Sequence, residues 1–171
     1  MRSDRPLSAR ESERVHQHCD TPVLPSPIVP SDRSLKALNS AHRLLVRLSG
    51  GRLGWRAGEM PVVELTTIGR TTGLARTVML SSPVQEGEQW VIVASRWGGD
   101  HHPAWFLNLR ERPEVEVSLQ GAPKRRMCAR IAGPEERERL WPAVTKAYKG
   151  YAEYQQKTDR EIPLVVLEPL S

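Results

Sequence analysis

Three residues with chemical potential, Asp100, His101 and His102, stand side by side in the stretch "ASRWGGDHHPAWFLNLR" (94–110). Carboxylates and imidazoles bind metal ions or move protons, but neighbouring residues point apart on a strand and splay by about 100° on a helix. Histidine ligands usually need a spacing such as H-x-x-x-H to converge, and a catalytic dyad needs a nucleophile, for which the G-x-S-x-G motif is absent. The spacing therefore predicts neither a metal site nor a triad, and "HQHC" (16–19) lacks a fourth ligand.

The positions just before these residues are better placed for binding. Ser95, Arg96, Gly98 and Gly99 stand where a predicted strand gives way to a loop. Such positions expose backbone N–H groups, and glycines let a flat ring approach without a side chain in the way. We therefore expect one wall of a binding groove here.

A second candidate site is "GRTTGLAR" (69–76), which combines two glycines, two threonines and two arginines in a strand connection. Turn N–H groups and hydroxyls donate hydrogen bonds, and guanidinium forks suit phosphate or carboxylate. The stretch is not a P-loop, because it lacks GK[ST] and no clear helix follows it. An anion site and an ordinary hairpin loop with solvated arginines both stay open.

The third candidate is a row of tyrosines, Tyr148, Tyr151 and Tyr154, spaced three residues apart. On one helix this spacing places them on neighbouring positions of one face. Phenols in that arrangement wall a pocket for a planar ligand and donate hydrogen bonds. The alternative is an amphipathic face that packs on the rest of the domain.

The elements that must position these residues predict an α+β domain. About six strands with turn signals between them favour a closed or half-closed, mainly antiparallel barrel. A helix is expected from Pro103 to just before Pro113, and a longer one over 134–158, which Pro142 and Gly150 break or kink. The predicted strands are "PVVELTTIG", "RTVMLSSPVQEG", "QWVIVAS", "EVEVSLQG", "KRRMCARIAG" and "IPLVVLEPL".

The chain divides into three predicted segments. Residues 1–30 contain five prolines and no periodicity, which is typical of a disordered tail. Residues 31–56 hold a basic amphipathic helix over 32–49 and a linker, and this helix either packs on the domain or lies on an anionic membrane surface. Residues 57–171 form the barrel domain.

Composition excludes several classes of protein. A chain of 171 residues suits one domain, and no apolar run is long enough to span a membrane. With no secretory signal and only two cysteines, a reducing cytoplasm is expected, with association at the inner face of the cell membrane as an option. Residues 1–60 hold 10 Lys/Arg against 6 Asp/Glu, but residues 61–171 hold 15 against 14. This nearly neutral domain argues against nucleic-acid binding.

Several stretches, taken together and in order, carry a family resemblance: "LTTIGRTTGLAR", "VIVASRWGG" with "HPAWFLNL", "RPEVEV", and "YKGYAEYQQKTDREIPLVVLEP". Over about residues 60–170 the chain resembles the deazaflavin-dependent nitroreductase family of actinobacteria. The resemblance implies an FMN-binding split-barrel-like fold, that is, a six-stranded, mainly antiparallel split β-barrel with flanking helices. It also implies that the chain binds coenzyme F-420 and passes hydride from it to a small-molecule acceptor such as a quinone or nitro compound. Such a protein needs no metal or nucleophile, because the coenzyme carries the redox chemistry.

The resemblance also implies roles for individual residues. Tyr151 and Ser95 would be catalytic, with Ser95 near the reactive centre, and Tyr148 and Tyr154 would complete the substrate pocket with Tyr151. The coenzyme would be held at its anionic tail, along its length and on both sides of its ring. The implied cofactor-binding residues are Arg70, Thr71, Thr72 and Arg76 for the tail, Thr77, Val78, Met79, Leu80 and Ser81 along the cofactor, and Val93, Ala94, Ser95, Arg96, Ala104, Trp105, Phe106, Leu107 and Asn108 around the ring.

Three positions depart from the family's reference nitroreductase. That protein has a basic residue where this chain has Thr71, a tyrosine where Ser81 stands and a glycine where Trp97 stands. The first change weakens the anionic-tail site by one charge, and Trp97 would narrow the pocket beside the ring. The same drug-reducing activity is therefore not implied for this chain.

Two other functions stay open. An FMN-dependent split-barrel oxidoreductase would use the same architecture with FMN as its cofactor. A non-catalytic cofactor-binding or peripheral membrane protein would instead use the basic helix at 32–49 for a membrane contact. Split barrels often dimerise, so a homodimer is a further expectation, although the sequence identifies no interface.

Overall fold

The computed structural model describes residues 34, 37, 40–41, 56–57, 59–119 and 122–170. From residue 56 onward, these residues form eight strands and three helices. The strands are β1 Arg56–Ala57, β2 Met60–Ile68, β3 Ala75–Ser81, β4 Val84–Glu86, β5 Gln89–Val93, β6 Glu114–Leu119, β7 Arg125–Ile131 and β8 Leu164–Pro169. The helices are α1 Ala104–Glu111, α2 Pro134–Ala147 and α3 Gly150–Gln156.

All the strands pair antiparallel in one curled sheet. The order β2-β6-β7-β8-β5-β4 runs across it, while β1 and β3 both pair with β2. Strand β3 lies close to β5 but does not pair with it. The two strands are held together by side chains, since Val78 and Leu80 of β3 pack on the same core as Ile92 of β5. The sheet is thus closed by side chains and not by hydrogen bonds on that side, and the predicted split barrel is confirmed.

The structure has two more strands than the six that the sequence predicts. The stretch "RTVMLSSPVQEG" is divided at Ser82 and Pro83 into β3 and β4. Proline has no N–H to donate to a strand partner, and the buried Ser82 hydroxyl donates to the carbonyls of Val84 and Val91 at 3.2 and 2.9 Å. This local bonding turns the chain, so that β4 pairs with β5 instead of continuing along β2. The other addition is the two-residue strand β1.

Strands β5 and β8 are buried on both faces. On one face, Ile92 and Val165 belong to the core inside the barrel, together with residues of α1. On the other face, Val93 and Val166 pack against Val144 of α2 in a second core, to which α3 also contributes. Each fully buried aliphatic side chain contributes about 1.5–3 kcal/mol, so both layers stabilise the same two strands.

The long helix predicted over 134–158 is two helices, and this changes the place of one tyrosine. Pro142 lies within α2 and does not end it. The break comes at Tyr148, whose extended backbone (φ −151°) terminates α2, and α3 begins at Gly150. The prediction of three tyrosines on one helix face is therefore wrong for Tyr148, which lies between the helices.

The N-terminal segments fall mostly outside the described residues. Ser34, Ala37, Ser40 and Ala41 are helical, as the predicted helix over 32–49 requires, but the rest of that helix and the 1–30 tail are not described. The membrane contact of this helix therefore stays a prediction. Among the described residues, no helix is long and apolar enough to cross a membrane.

An ion-pair network fixes the start of α2 to the sheet. Arg130 of β7 donates to both carboxylate oxygens of Glu136 at 2.5 and 2.9 Å, and to Glu168 of β8 at 3.2 Å. The hydrogen bonds from Arg130 are the main reason that the pKa of Glu136 lies below its ordinary value. One guanidinium therefore joins a helix to two strands.

We expect Glu136→Gln to lower the free energy of unfolding by about 1 kcal/mol at about pH 7, since solvent screens such part-exposed pairs. Because folding lowers the pKa of Glu136, its contribution is present above the unfolded-state pKa of about 4.3 and is lost as the pH falls through the folded-state value. The difference between wild type and variant should therefore shrink in acid. Urea unfolding at about pH 7 and about pH 3 measures both effects.

Glu135→Gln is the matched control for this change. Glu135 is exposed and lies in the same first turn of α2, so it feels the same helix dipole. An equal loss of stability in both variants would show that the dipole, and not the bond to Arg130, accounts for the effect.

Candidate active site

The loop between β2 and β3 presents two arginines to solvent. It is closed by hydrogen bonds from the Gly69 amide to the Leu74 carbonyl and from the Gly73 amide to the Gly69 carbonyl, at 2.8 and 2.7 Å. Gly73 has a φ of +66°, which glycine adopts without strain. Arg70 and Arg76 are exposed, and within the described part of the chain neither guanidinium has a carboxylate partner. Two free cationic forks at one loop suit an anionic ligand.

Asn108 ties this loop to helix α1. Its buried side-chain amide donates to the Thr67 hydroxyl at 3.1 Å, and its carbonyl oxygen accepts the Arg70 amide at 3.1 Å. The sequence resemblance assigned Asn108 to the ring wall, but the structure gives it protein partners at both ends of its amide. Its contacts here orient the arginine loop relative to α1.

The five residues at 77–81 divide between the two faces of β3. Val78 and Leu80 point into the barrel core. Thr77 lies on the other face, where its hydroxyl is 3.0 Å from that of Thr66, and Lys124 also donates to Thr66 at 3.0 Å. Successive side chains of a strand alternate, so Met79 and Ser81 share the face of Thr77. A ligand along β3 can therefore touch the side chains of only one of these two sets.

The turn after β5 differs from the expectation of exposed amides. Gly98 and Gly99 are buried, and their amides donate to the carbonyls of Ser95 and Arg96 at 3.0 and 3.1 Å. A Cβ at Gly98 would lie 2.8 Å from the Tyr154 carbonyl oxygen. The glycine pair therefore allows α3 to pack closely on the turn, and the prediction that it opens the backbone to a flat ligand is wrong. Ser95, at the start of the turn, is buried, and its carbonyl oxygen accepts the hydrogen bond from the Gly98 amide.

Arg160 is the residue at the site that sequence reasoning missed. Its guanidinium donates to the carbonyls of Ser95 and Gly99, both at 2.8 Å, and to that of Ala94 at 3.3 Å. Its remaining nitrogen is 3.3 Å from Nδ1 of His102, which must be the acceptor because a guanidinium has no acceptor atom. The available signal was an arginine just before an apolar strand in "TDREIPLVV", which by itself does not indicate such a contact.

Two residues of the Asp-His-His stretch, Asp100 and His102, make contacts that hold the fold. Asp100 accepts the Thr158 hydroxyl at 3.1 Å, and the His102 ring lies 4.8 Å from that of Phe106. Burial, with Arg160 and Arg110 nearby, lowers the pKa of His102, which suits its role as an acceptor. His101 is exposed. Among the described residues, no three His, Cys, Asp or Glu side chains are grouped closely enough to hold a metal ion.

Helix α1 and the end of β5 supply core side chains to this region. Trp105 and Phe106 are buried in the barrel core with Ala94, and Leu107 packs against the same core. Val93 points the other way, into the core beneath α2 and α3. The side chains of these residues are mostly buried, so they can contact a ligand in a groove mainly through their backbone atoms. Ala104 is the exposed residue in the first turn of α1.

The three tyrosine rings meet despite the break between the helices. Tyr148 and Tyr151 stack edge to face with centroids 5.4 Å apart, and Tyr154 lies 6.2 Å from both. Burial raises the pKa of Tyr151 to about 12 and is also the main cause that raises the pKa of Tyr154. Both phenols are protonated at neutral pH, as tyrosines of ordinary pKa also are, and the Tyr154 hydroxyl lies 3.4 Å from that of Tyr148.

Gly150 makes this cluster sterically possible. A Cβ at Gly150 would lie 2.4–2.7 Å from three atoms of the Tyr148 side chain. The Tyr148 ring, which is 44% exposed, therefore rests directly on the backbone at the start of α3. Sequence reasoning treated Gly150 only as a helix breaker and missed this contact.

A groove of about 620 Å³ lies on the outer face of β2 and β6. Its walls carry Glu111, Glu114 and Glu116, together with Arg112 and Arg126, and Arg126 is paired with Glu114. Three carboxylates disfavour an anionic ligand. This groove adjoins the candidate site, because Ala75 of "GRTTGLAR" lies in its wall and Thr66, also in its wall, has its hydroxyl 3.0 Å from that of Thr77. The side chains of Arg70 and Arg76 do not line it.

Comparison with known proteins gives consistent relatives. A sequence model of the F420H(2)-dependent quinone reductase family matches residues 40–169. An F420H(2)-dependent quinone reductase of Mycobacterium tuberculosis (strain H37Rv) is 36% identical over 131 residues, covering 74% of this chain and 86% of that relative. The solved structure of an F420-H2 dependent reductase, FDR-A, is 39% identical with a TM-score of 0.57, and the match covers 63% of this chain and 94% of that one.

A further solved structure, described as a domain-swapped dimer, is 33% identical with a TM-score of 0.57 and covers 77% of this chain and 99% of that one. The family match takes in the arginine loop, the turn after β5, helix α1 and the tyrosine cluster, so it spans the whole candidate site as well as the barrel. The resemblance drawn from the sequence motifs is confirmed. This chain belongs to the F420H(2)-dependent quinone reductase family.

Proposed function

We propose that this chain is an oxidoreductase that reduces a quinone with reduced coenzyme F-420. The observation that carries the proposal is the double attachment of residues 94–108. The start of this segment packs against the tyrosine helix α3, and its end, through Asn108, holds the arginine loop. One continuous stretch thus joins a site for an anionic group to a site for a planar acceptor. F-420, when bound, supplies the hydride.

The residues present fit this coenzyme at its anionic tail. Arg70 and Arg76 offer guanidinium groups with no carboxylate partner among the described residues, and the Thr72 hydroxyl lies in the same exposed loop. Such groups bind phosphate and carboxylate oxygens through charge-assisted hydrogen bonds. Thr71 adds no charge, which leaves two cations for the tail. The ring is then proposed to lie along residues 94–96 and the start of α1.

The tyrosine cluster is proposed to receive the acceptor. Tyr151 is buried, which raises the pKa of its phenol to about 12, and like any tyrosine of ordinary pKa it is protonated at neutral pH. A desolvated phenol donates a strong hydrogen bond to an oxygen on which negative charge develops. Tyr151 is therefore assigned the donor role and Ser95 a place beside the reacting atoms, while Tyr148 and Tyr154 hold the quinone ring.

A homodimer is proposed on the likeness to the solved structure that is described as a domain-swapped dimer. Among the described residues, β3 pairs only with β2 and β4 only with β5, and an edge strand is where a second chain can add.

We expect the purified protein to bind F-420, and to oxidise reduced F-420 when a quinone is added. The return of the oxidised deazaflavin absorbance measures the reaction. A panel of nitro compounds run in parallel defines the acceptor class, and titration with FMN tests the other cofactor. Turnover with FMN alone, or binding without turnover of any acceptor, would contradict the proposal.

Arg76→Ala and Tyr151→Phe should separate binding from chemistry. We expect Arg76→Ala to weaken F-420 binding about tenfold with little change in kcat, because it removes an ion pair to the tail. Tyr151→Phe should lower kcat by about 100-fold with little change in F-420 affinity, because it removes the proposed donor. Arg112→Ala is the control, since Arg112 is an exposed arginine on the other groove. Equal effects of both changes on both constants would refute the division of roles.

Gly150→Ala should weaken the binding of the quinone and leave the binding of the coenzyme unchanged. The added methyl group must displace the Tyr148 ring, so we expect the KM for the quinone to rise several-fold while F-420 affinity is unchanged. In a Tyr148→Ala background the same change should have no further effect, because no ring is left to displace. Gly133→Ala is the matched control, as a Cβ there meets nothing within 4 Å. A loss that persists in the Tyr148→Ala background would contradict the steric explanation.

A further inference from the structure

The turn that follows β5 holds an unfavourable backbone conformation. Arg96, Trp97 and Gly98 have φ values of 46°, 60° and 83°, three left-handed residues in succession. Glycine takes this conformation freely, but the Cβ of an arginine or tryptophan is crowded there. Such strain persists only where the surroundings impose it. The structure must therefore contain contacts that hold this turn.

Arg160 makes those contacts from both sides of the strained residues. It donates to the carbonyl of Ser95, before them, and to that of Gly99, after them. A guanidinium is planar and its donors lie at fixed separations, so it also fixes the distance between these two carbonyl oxygens. A chain that relaxed at Trp97 would change that distance and break at least one of the two bonds.

Helix α3 packs against the turn and leaves it little room to move toward the helix. Gly98 contacts the backbone of Tyr154 so closely that a Cβ would lie 2.8 Å from its carbonyl oxygen. The Trp97 side chain, in contrast, is 42% exposed. The turn is therefore fixed at its backbone, while its indole is presented at the surface beside the tyrosine helix.

We propose that Arg160 is a positioning residue that holds residues 95–99 in the left-handed turn which Trp97 would otherwise leave, and so keeps the ring wall in its binding conformation. The proposal rests on the proposed function only in naming this turn as part of the coenzyme site. The rest is independent of the coenzyme: the hydrogen bonds from Arg160 offset the backbone strain at Trp97.

The test is a set of double variants in the full chain. Arg160→Met should weaken F-420 binding about tenfold, because the turn relaxes. Trp97→Gly relieves the strain at residue 97 but leaves Arg96 in the left-handed region, so adding Arg160→Met to it should weaken F-420 binding by clearly less than about tenfold. Trp97→Ala removes the same indole but keeps a Cβ, so adding Arg160→Met to it should again cost about tenfold. The comparison of glycine with alanine separates backbone strain from loss of the ring.

A second readout does not depend on the coenzyme. The peptide bond after Arg96 is a trypsin site within the turn, and cleavage there requires local opening. We expect Arg160→Met to raise the rate of this cut, identified by fragment mass, about tenfold. The rise should be as large in the Trp97→Ala background and clearly smaller in the Trp97→Gly background, where only Arg96 remains strained. Arg139→Met is the control, because it removes a bidentate pair with Glu86 far from the turn.

The two readouts distinguish failure of the role of Arg160 from failure of the proposed function. Equal effects of Arg160→Met in the glycine and alanine backgrounds, in cleavage as in binding, would overturn the coupling. The predicted cleavage pattern in a protein that binds no F-420 would support the role of Arg160 in the turn while refuting the proposed function. If Arg160→Met does not fold, Arg160→Lys, which keeps the charge without the planar fork, is expected to show the same pattern.

Discussion

The covering of β5 and β8 on both faces is the constraint on which the site depends. Their inward side chains fill the barrel, and their outward side chains require a second layer, which α2 and α3 supply. Because α3 must lie over the end of β5, it meets the turn that leaves this strand. The tyrosines on α3 are thereby brought beside a loop that is distant from them in sequence. The site follows from how the sheet is covered.

Two polar side chains, the buried Asn108 and the part-buried Arg160, convert this packing into a defined geometry. Asn108 joins α1 to the arginine loop between β2 and β3. Arg160, which precedes β8, joins the start of β8 to the turn after β5. Both bond to backbone groups, so they fix the course of the chain and leave the exposed side chains of Arg70, Arg76 and Trp97 free to vary.

Sequence patterns were sufficient for the barrel because alternation and turn residues are local signals, as in β6 and β7, whose predicted pairing is confirmed. They failed where a residue acts through a distant partner. The burial of Gly98 depends on α3, about 56 residues later in the sequence, and Arg160 bonds to carbonyls more than 60 residues earlier. Of the two helix breakers predicted, Gly150 is confirmed as the start of α3, whereas Pro142 is tolerated within α2, on its exposed face.

In the proposed arrangement, residues 94–108 form a single wall that joins an anion site to the tyrosine cluster. A crystal structure of the protein with F-420 would show whether they do. We expect the anionic tail at Arg70 and Arg76, the ring along residues 94–96, and the tyrosine rings on the side left for the acceptor. A tail bound in the groove of Glu111, Glu114 and Glu116, or a ring remote from Ser95, would contradict it.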